Sequence, residues 1–201
     1  KSYLCYNIAR NAQKEGYNVI YIDTEFSIEK DEMKKFGIDT SEDRMMLVRS
    51  NKVEDLKIML TQLLNNLKQQ KQDGVDIGKN IIFLDSIGQL ASNKEVEDAL
   101  DGKIKVDMSR AKAIKSLLRI INSDLGYLDI PLVATNHVYM TQDLFPVAVM
   151  GGGEGITYTA STVVYMSIAK LKTGEENKDY KSYVSDIGQS GIVVTAKARK
   201  N

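Results

Sequence analysis

Three short apolar runs, each ending in polar side chains, constrain this chain more than any other feature: Asn18 to Asp23 (NVIYID), Asn80 to Asp85 (NIIFLD) and Pro131 to Asn136 (PLVATN). Their composition and length suit strands, and Asn80 to Asp85, nearly all apolar, suits a parallel strand covered on both faces. Stretches with helical spacing lie between them. Ser2 to Lys14 carries Leu4, Ile8 and Ala12 in one stripe and stops at Gly16, and a short charged helix closes at Gly37. After a further short strand at Arg44 to Arg49, Asn51-Lys52-Val53-Glu54 reads as a capping box with Asn51 at the cap, opening an amphipathic helix to about Lys71. Another helix runs from roughly Met108 to Asn122, with Ala111, Ile114, Leu117, Leu118 and Ile121 on one side. Strand alternating with helix predicts an α/β fold with a mostly parallel sheet flanked by helices, and ligands in such sheets bind at the carboxyl ends of the strands.

Two segments interrupt the alternation. Asn93 to Val106 is charged, contains Gly102, and reads as a loop feeding the helix after it. Val138 to Gly155 holds Pro146 and a Gly-Gly-Gly run that neither helix nor strand accommodates, and a loop of that length is functional or disordered. Near the end, Thr162 to Ala169 and Gly191 to Ala198 read as strands of an antiparallel extension. A length of 201 residues with 43% hydrophobic and 27% charged side chains fits one domain with a real core. Lys+Arg and Asp+Glu both number 27, which excludes a uniformly basic surface and makes any nucleic-acid contact local. The single Cys5 excludes an internal disulfide and Cys-x-x-Cys metal clusters, and its place in an apolar stripe marks it as packing. No apolar run is long enough for a membrane span or signal peptide, so a reducing cytoplasm is the expected setting.

The strand ends carry the candidate chemistry. Asp23 and Glu25, Asp85 and Ser86, and Asn136 and His137 are presented on one edge of the sheet. Lys1-Ser2 directly before a helix has the form of the tail of a GxxxxGK[ST] loop, in which the lysine reaches phosphates and the hydroxyl binds magnesium at a helix amino end. His137 is the sole histidine, and without a second His or a nearby Cys it does not point to a tetrahedral metal site. Lys197 and Arg199 stand two apart on the last strand, hence on one face, and solvated edge charges would also account for them.

Longer matches then accumulate in order: TEF at Thr24 to Phe26, LDSIGQLAS at Leu84 to Ser92, KEVEDAL at Lys94 to Leu100, DMSRAKAIKSLLRI at Asp107 to Ile120, NHVYMTQDLF at Asn136 to Phe145 and MGGGEG at Met150 to Gly155. With these the chain resembles RecA-like DNA strand-exchange recombinases, nearest to the UvsX type of tailed phages, over almost its whole length.

The resemblance implies a P-loop NTPase core that uses ATP and Mg2+. It makes Glu25 the group that activates the attacking water and Asp85 the carboxylate that holds magnesium with Ser2. Lys1, Ser2, Ser86, Asn136 and His137 become nucleotide contacts, His137 linking the γ-phosphate to the root of the second DNA loop. Lys197 and Arg199 match positions that reach the ATP of a neighbouring subunit in a filament. DNA contact is expected in two loops: Lys94, Lys103, Lys105 and Arg110 around the first, and Tyr139, Met140, Phe145, Gly151, Gly152 and Gly153 in the second. The implied partners are single-stranded DNA, homologous duplex DNA, identical subunits, and single-strand-binding and mediator proteins, in a phage-infected bacterial host.

Two departures accompany it. Where the family commonly stacks an aromatic on adenine, this chain has Glu32. The strand and glycine-rich half of the phosphate loop do not precede Lys1, so the chain is expected to be part of a longer product or to be completed by another chain, and to be marginally stable alone. A hexameric helicase motor of the same fold, and a fragment that binds DNA or subunits without hydrolysing ATP, stay open as alternatives.

Overall fold

The computed structural model describes residues 1–102, 109–142, 144–145, 148–153, 155–170 and 192–200. Two compact units result, Lys1–Thr159 and Ala160–Asn201.

In the first unit the chain runs α1 (Ser2–Lys14), β1 (Tyr17–Asp23), α2 (Lys30–Lys35), β2 (Met45–Arg49), α3 (Val53–Gln72), β3 (Lys79–Asp85), a 3-10 turn at Ile87–Gln89, α4 (Asn93–Leu100), α5 (Ser109–Leu128), β4 (Leu132–Ala134), β5 (Val138–Met140), β6 (Ala148–Met150) and α6 (Gly155–Thr159). Strands β2-β1-β3-β4 form one parallel sheet in that order. Asp23 is paired with Asp85, so β1 and β3 end level.

Strand periodicity sorts the core into two layers. Ile20, Ile22, Ile82 and Leu84 pack with α3 and α5 residues such as Leu60 and Leu117. The alternate residues Val19, Tyr21, Ile81 and Phe83 pack with Cys5, Tyr6 and Ala9 of α1 and Met33 of α2. Successive strand side chains point to opposite faces, so each central strand contributes to both layers, at about 1.5–3 kcal/mol per large apolar side chain fully buried. This is the α/β architecture expected from strand alternating with helix, although of the run Pro131 to Asn136 only Leu132–Ala134 pairs as β4, and it is partly exposed.

Local expectations fared unevenly. The capping box does not form: Lys52 is the N-cap of α3 and makes no side-chain cap bond. The Asn51 carbonyl instead accepts from the Ala91 amide at 2.7 Å, and Glu54 accepts from the Asn93 amide at 3.1 Å. Of the groups a capping box would use, tertiary pairing has taken the Glu54 carboxylate. The segment expected to be a loop from Asn93 begins as helix α4, whose N-cap Ser92 accepts from the Glu95 amide at 3.1 Å. Helix α5 runs on to Leu128 because Leu125 and Leu128 continue its buried stripe. The segment after Val138, expected to be neither helix nor strand, contains an antiparallel ladder that pairs Val138 with Met150 and Met140 with Ala148.

The second unit is an antiparallel pair, β7 (Val163–Lys170) and β8 (Ile192–Lys200), as expected for the extension. Its register pairs Val164 with Ala198 and Val163 with Lys200, so the ladder skips Arg199. Such a bulge interrupts strict alternation along a strand.

Candidate nucleotide site at the carboxyl edge of the sheet

Three carboxylates gather where β1 and β3 end, and the fold treats each differently. Asp23 is fully buried and accepts the Glu25 amide at 3.0 Å and the Ile28 amide at 2.9 Å. It braces the elbow after β1 rather than facing a ligand, which corrects its placement beside Glu25 on the presented edge. Phe26 at φ +55° sits inside that elbow, where the chain turns back to bring the Ile28 amide to Asp23.

Asp85 is only 6% exposed. One oxygen accepts the Tyr21 hydroxyl at 3.0 Å and the other the Thr135 hydroxyl at 2.5 Å. Burial first, and then the charge of Asp85, holds the Tyr21 hydroxyl far above its ordinary range, which keeps it a donor. Neither Tyr21 nor Thr135 was singled out from the sequence. A weak signal existed, since Tyr21 lies two before Asp23 and Thr135 directly precedes Asn136 at the end of a strand.

Glu25 contrasts with both, its side chain being 39% exposed. Oε1 accepts the Ser86 hydroxyl at 3.1 Å and lies 3.4 Å from Nε2 of His137. Nδ1 of His137 lies 3.3 Å from Nζ of Lys1, which also donates to the Asn136 carbonyl at 2.7 Å. One tautomer, with the proton on Nε2, satisfies both imidazole contacts. Thr24 and Ser86 lock the neighbouring loops: the Thr24 hydroxyl donates to the Ser86 carbonyl and accepts the Ser86 amide, both at 2.8 Å. The structure therefore brings Lys1, Glu25, Ser86, Asn136 and His137 together, with Ser2 next in chain at the start of α1.

A magnesium ion is a chemical fit of limited kind. Among the described residues no group of three His, Cys, Asp or Glu side chains could hold a metal by itself. Asp85 and Ser2 have the oxygen donors a hard cation takes, but Asp85 is buried and both of its oxygens already accept hydroxyl hydrogens, so it would hold a cation through water rather than directly.

Beyond this cluster, the expected DNA contacts divide. Asn136 donates to the Gly151 carbonyl at 2.8 Å, and the Gly151 amide donates to the His137 carbonyl at 3.0 Å, so the β5–β6 hairpin is tied directly to the site. On it Tyr139 and Met140 are exposed, and Phe145 is 85% exposed, leaving an apolar surface in solvent. A Cβ at Gly151 would meet the Tyr139 ring at 3.0 Å, and Gly152 and Gly153 have φ of +83° and +86°. Backbone conformation favours glycine at 152 and 153, and a side chain at 151 would need the Tyr139 ring to shift.

The first loop is less open. Lys94 is paired with Asp98 at 3.0 Å within α4. Arg110 donates through Nε to the Leu90 carbonyl at 2.6 Å and through Nη2 to the Gly88 carbonyl, so the guanidinium expected to meet DNA phosphate is engaged inside the protein. Lys103 and Lys105 lie outside the described residues. Lys197 is exposed on β8 and Arg199 lies on the same strand, both in the second unit. Among the described residues no helix is long and apolar enough to cross a membrane.

The fold and this edge define a class: an α/β protein whose parallel strands end in a cluster of acid, hydroxyl and imidazole groups beside a helix amino end. No family model matches the chain. It is similar to a protein of Enterobacteria phage T4 described as "Recombination and repair protein", at 35% identity over 174 residues. The alignment covers 87% of this chain and 42% of the phage protein, so the chain spans less than half the length of that relative.

Proposed function

We propose that this chain is the ATP-hydrolysing core of a DNA recombination and repair protein, a RecA-like P-loop ATPase of the UvsX type that forms filaments on single-stranded DNA and exchanges strands. The observation that carries this reading is the meeting of Lys1, Glu25, Ser86 and His137 above buried Asp85 at the carboxyl edge of a parallel sheet. The similarity to the phage T4 recombination and repair protein supports the biological setting.

Phosphoryl transfer needs positioning and electrostatic stabilisation more than covalent chemistry, and the residues divide the work accordingly. Glu25 is exposed enough to meet water, and Ser86 and His137 both engage Oε1, which leaves Oε2 to accept the proton of an attacking water. Lys1 exchanges the Asn136 carbonyl for phosphate oxygens, and that exchange also releases Nδ1 of His137. A magnesium ion held by Ser2 and, through water, by Asp85 would supply charge neutralisation at the phosphates. The exposed hairpin with Tyr139, Met140 and Phe145 offers stacking surface to bases, which tolerates any sequence. Lys197 and Arg199 are assigned to the nucleotide of a neighbouring subunit, completing each site through the filament.

The direct test is Glu25→Gln in the full-length protein. Nucleotide binding is retained while hydrolysis stimulated by single-stranded DNA falls roughly 100-fold or more, the scale of a lost general base. Wild-type turnover in that variant removes Glu25 from the mechanism, and failure of the wild-type protein to bind ATP removes the reading.

A further inference from the structure

We infer that Arg110 is a positioning residue for Glu25, acting through the turn from Ser86 to Leu90, and that it is not a DNA-phosphate contact. This rests on the reading of Glu25 as the water-orienting group. The geometry itself does not depend on that reading.

The turn supplies one of the two groups that reach Glu25 and backs the other. Ser86, its N-cap, donates directly to Glu25 Oε1 at 3.1 Å. His137 rests on the turn: a Cβ at Gly88 would lie 2.4 Å from Cδ2 of the imidazole, and 3.3 Å from its Cγ and from Oδ1 of Asn136. The ring therefore lies against the bare backbone of Gly88, and any tilt of that peptide moves Nε2 relative to Glu25.

Two anchors hold the turn. Ile87 and Leu90 are buried in the core beneath it. From α5, the forked guanidinium of Arg110 takes the carbonyls of Gly88 and Leu90 together. A planar fork can hold two carbonyls in one geometry, which a single ammonium cannot.

The position of Arg110 gives this anchor a regulatory meaning. It is the second residue of α5, and Ser109 before it meets the Ser92 hydroxyl of the α4 cap at 3.0 Å. The same end of α5 backs the glycine run, where a Cβ at Gly152 would lie 3.3 Å from Ile114 and one at Gly153 3.7 Å from Ala111. Displacement of α5 at its amino end, from α4 or from the hairpin side, is passed by Arg110 to the turn and so to both partners of Glu25.

The experiment uses Arg110→Lys and Gly88→Ala in the full-length protein, with His137 as reporter. As the chain's sole histidine, its imidazole resonance is assigned by its loss in His137→Gln. In the absence of nucleotide and DNA, both variants are expected to shift that resonance while Arg110→Lys keeps the wild-type melting temperature. Turnover stimulated by DNA should fall ~10- to 100-fold, as for a misplaced catalytic group, through kcat and with little change in the KM for ATP.

Arg110→Lys keeps the charge, so affinity for single-stranded DNA and its salt dependence should stay within about twofold of wild type. A wild-type resonance in Arg110→Lys overturns the proposal, as does a drop in DNA affinity that accounts for the loss of turnover. Should Gly88→Ala fail to fold, Arg110→Lys decides alone. A wild-type protein without ATP turnover would defeat the functional reading, while the resonance would still judge the positioning.

Discussion

Asp85 closes β3 and Glu25 lies two residues past the end of β1, neighbouring strands that end in register, yet one is sealed and the other left open. Asp85 is buried with a hydroxyl donor on each oxygen, whereas Glu25 is more than a third exposed and meets His137 at a long 3.4 Å. The difference arises from the path the chain takes on leaving each strand. After β3 the chain enters a buried turn, with Ile87 and Leu90 in the core, so Asp85 faces Tyr21 and Thr135. After β1 it leaves the sheet through an elbow that Asp23 closes from within, which pushes Glu25 outward. A sealed acid holds a fixed position, and an open one can meet water and exchange partners.

The largest expected effect tests the brace behind the open acid. Asp23→Ala would leave the buried amide of Ile28 and the part-buried amide of Glu25 without an acceptor, at about 1–3 kcal/mol for a buried group, and urea unfolding should show a loss of about 3 kcal/mol. A loss comparable to that of a surface substitution would mean that the elbow holds without Asp23.

Next come the donors to Asp85. Thr135→Val and Tyr21→Phe each keep the side-chain shape and remove one hydrogen bond to a buried carboxylate, a change of about 1.5–3 kcal/mol. The same measurement on Glu25→Gln should give under about 0.5 kcal/mol, as for an exposed position. If the two sets cost the same, the distinction between sealed and open acids is wrong.

Alkali probes the sealed side alone. Burial, and after it the charge of Asp85, pushes the Cys5 thiol up from 9.0 to about 11. Burial first, then the charge of Glu32, takes Tyr6 from 10.0 to about 12. The folded state therefore holds protons that the unfolded chain releases, so this stabilisation is complete below the unfolded values and is lost as pH rises. Thermal midpoints should begin to fall above pH 9.0, and Cys5→Ala should delay the fall toward pH 10.0, where Tyr6 ionises in the unfolded chain. An onset unmoved in Cys5→Ala would separate Cys5 from the effect. The smallest effect belongs to the hairpin: Tyr139→Ala and Phe145→Ala should change stability by under about 0.5 kcal/mol. Affinity for single-stranded DNA should weaken by ~1–3 kcal/mol per lost stacking surface, read by fluorescence anisotropy.

Much of the scaffold was legible in the residues. NVIYID announced a strand and NIIFLD a strand covered on both faces, and the ends of the strands gave Glu25, Asp85, Ser86, Asn136 and His137 as one cluster. The exceptions share one character. Asn51 has the chemistry of a cap, but its carbonyl pairs with the Ala91 amide. Arg110 has the chemistry of a phosphate contact, but it is held by two carbonyls about twenty positions away in sequence. Pro146 and three glycines looked incompatible with regular structure, but the ladder forms on either side of Pro146 and ends before the glycines.

The sequence by itself determined the layers, because burial depends on each side chain's own apolar surface and on a local period of two or 3.6 residues. Only the tertiary structure decided which acid is sealed, which histidine nitrogen faces Glu25 and where the guanidinium of Arg110 is anchored. Hydrogen bonds act over about 3 Å and in fixed directions, so their partners depend on strand register and helix placement, which no local pattern of residues encodes.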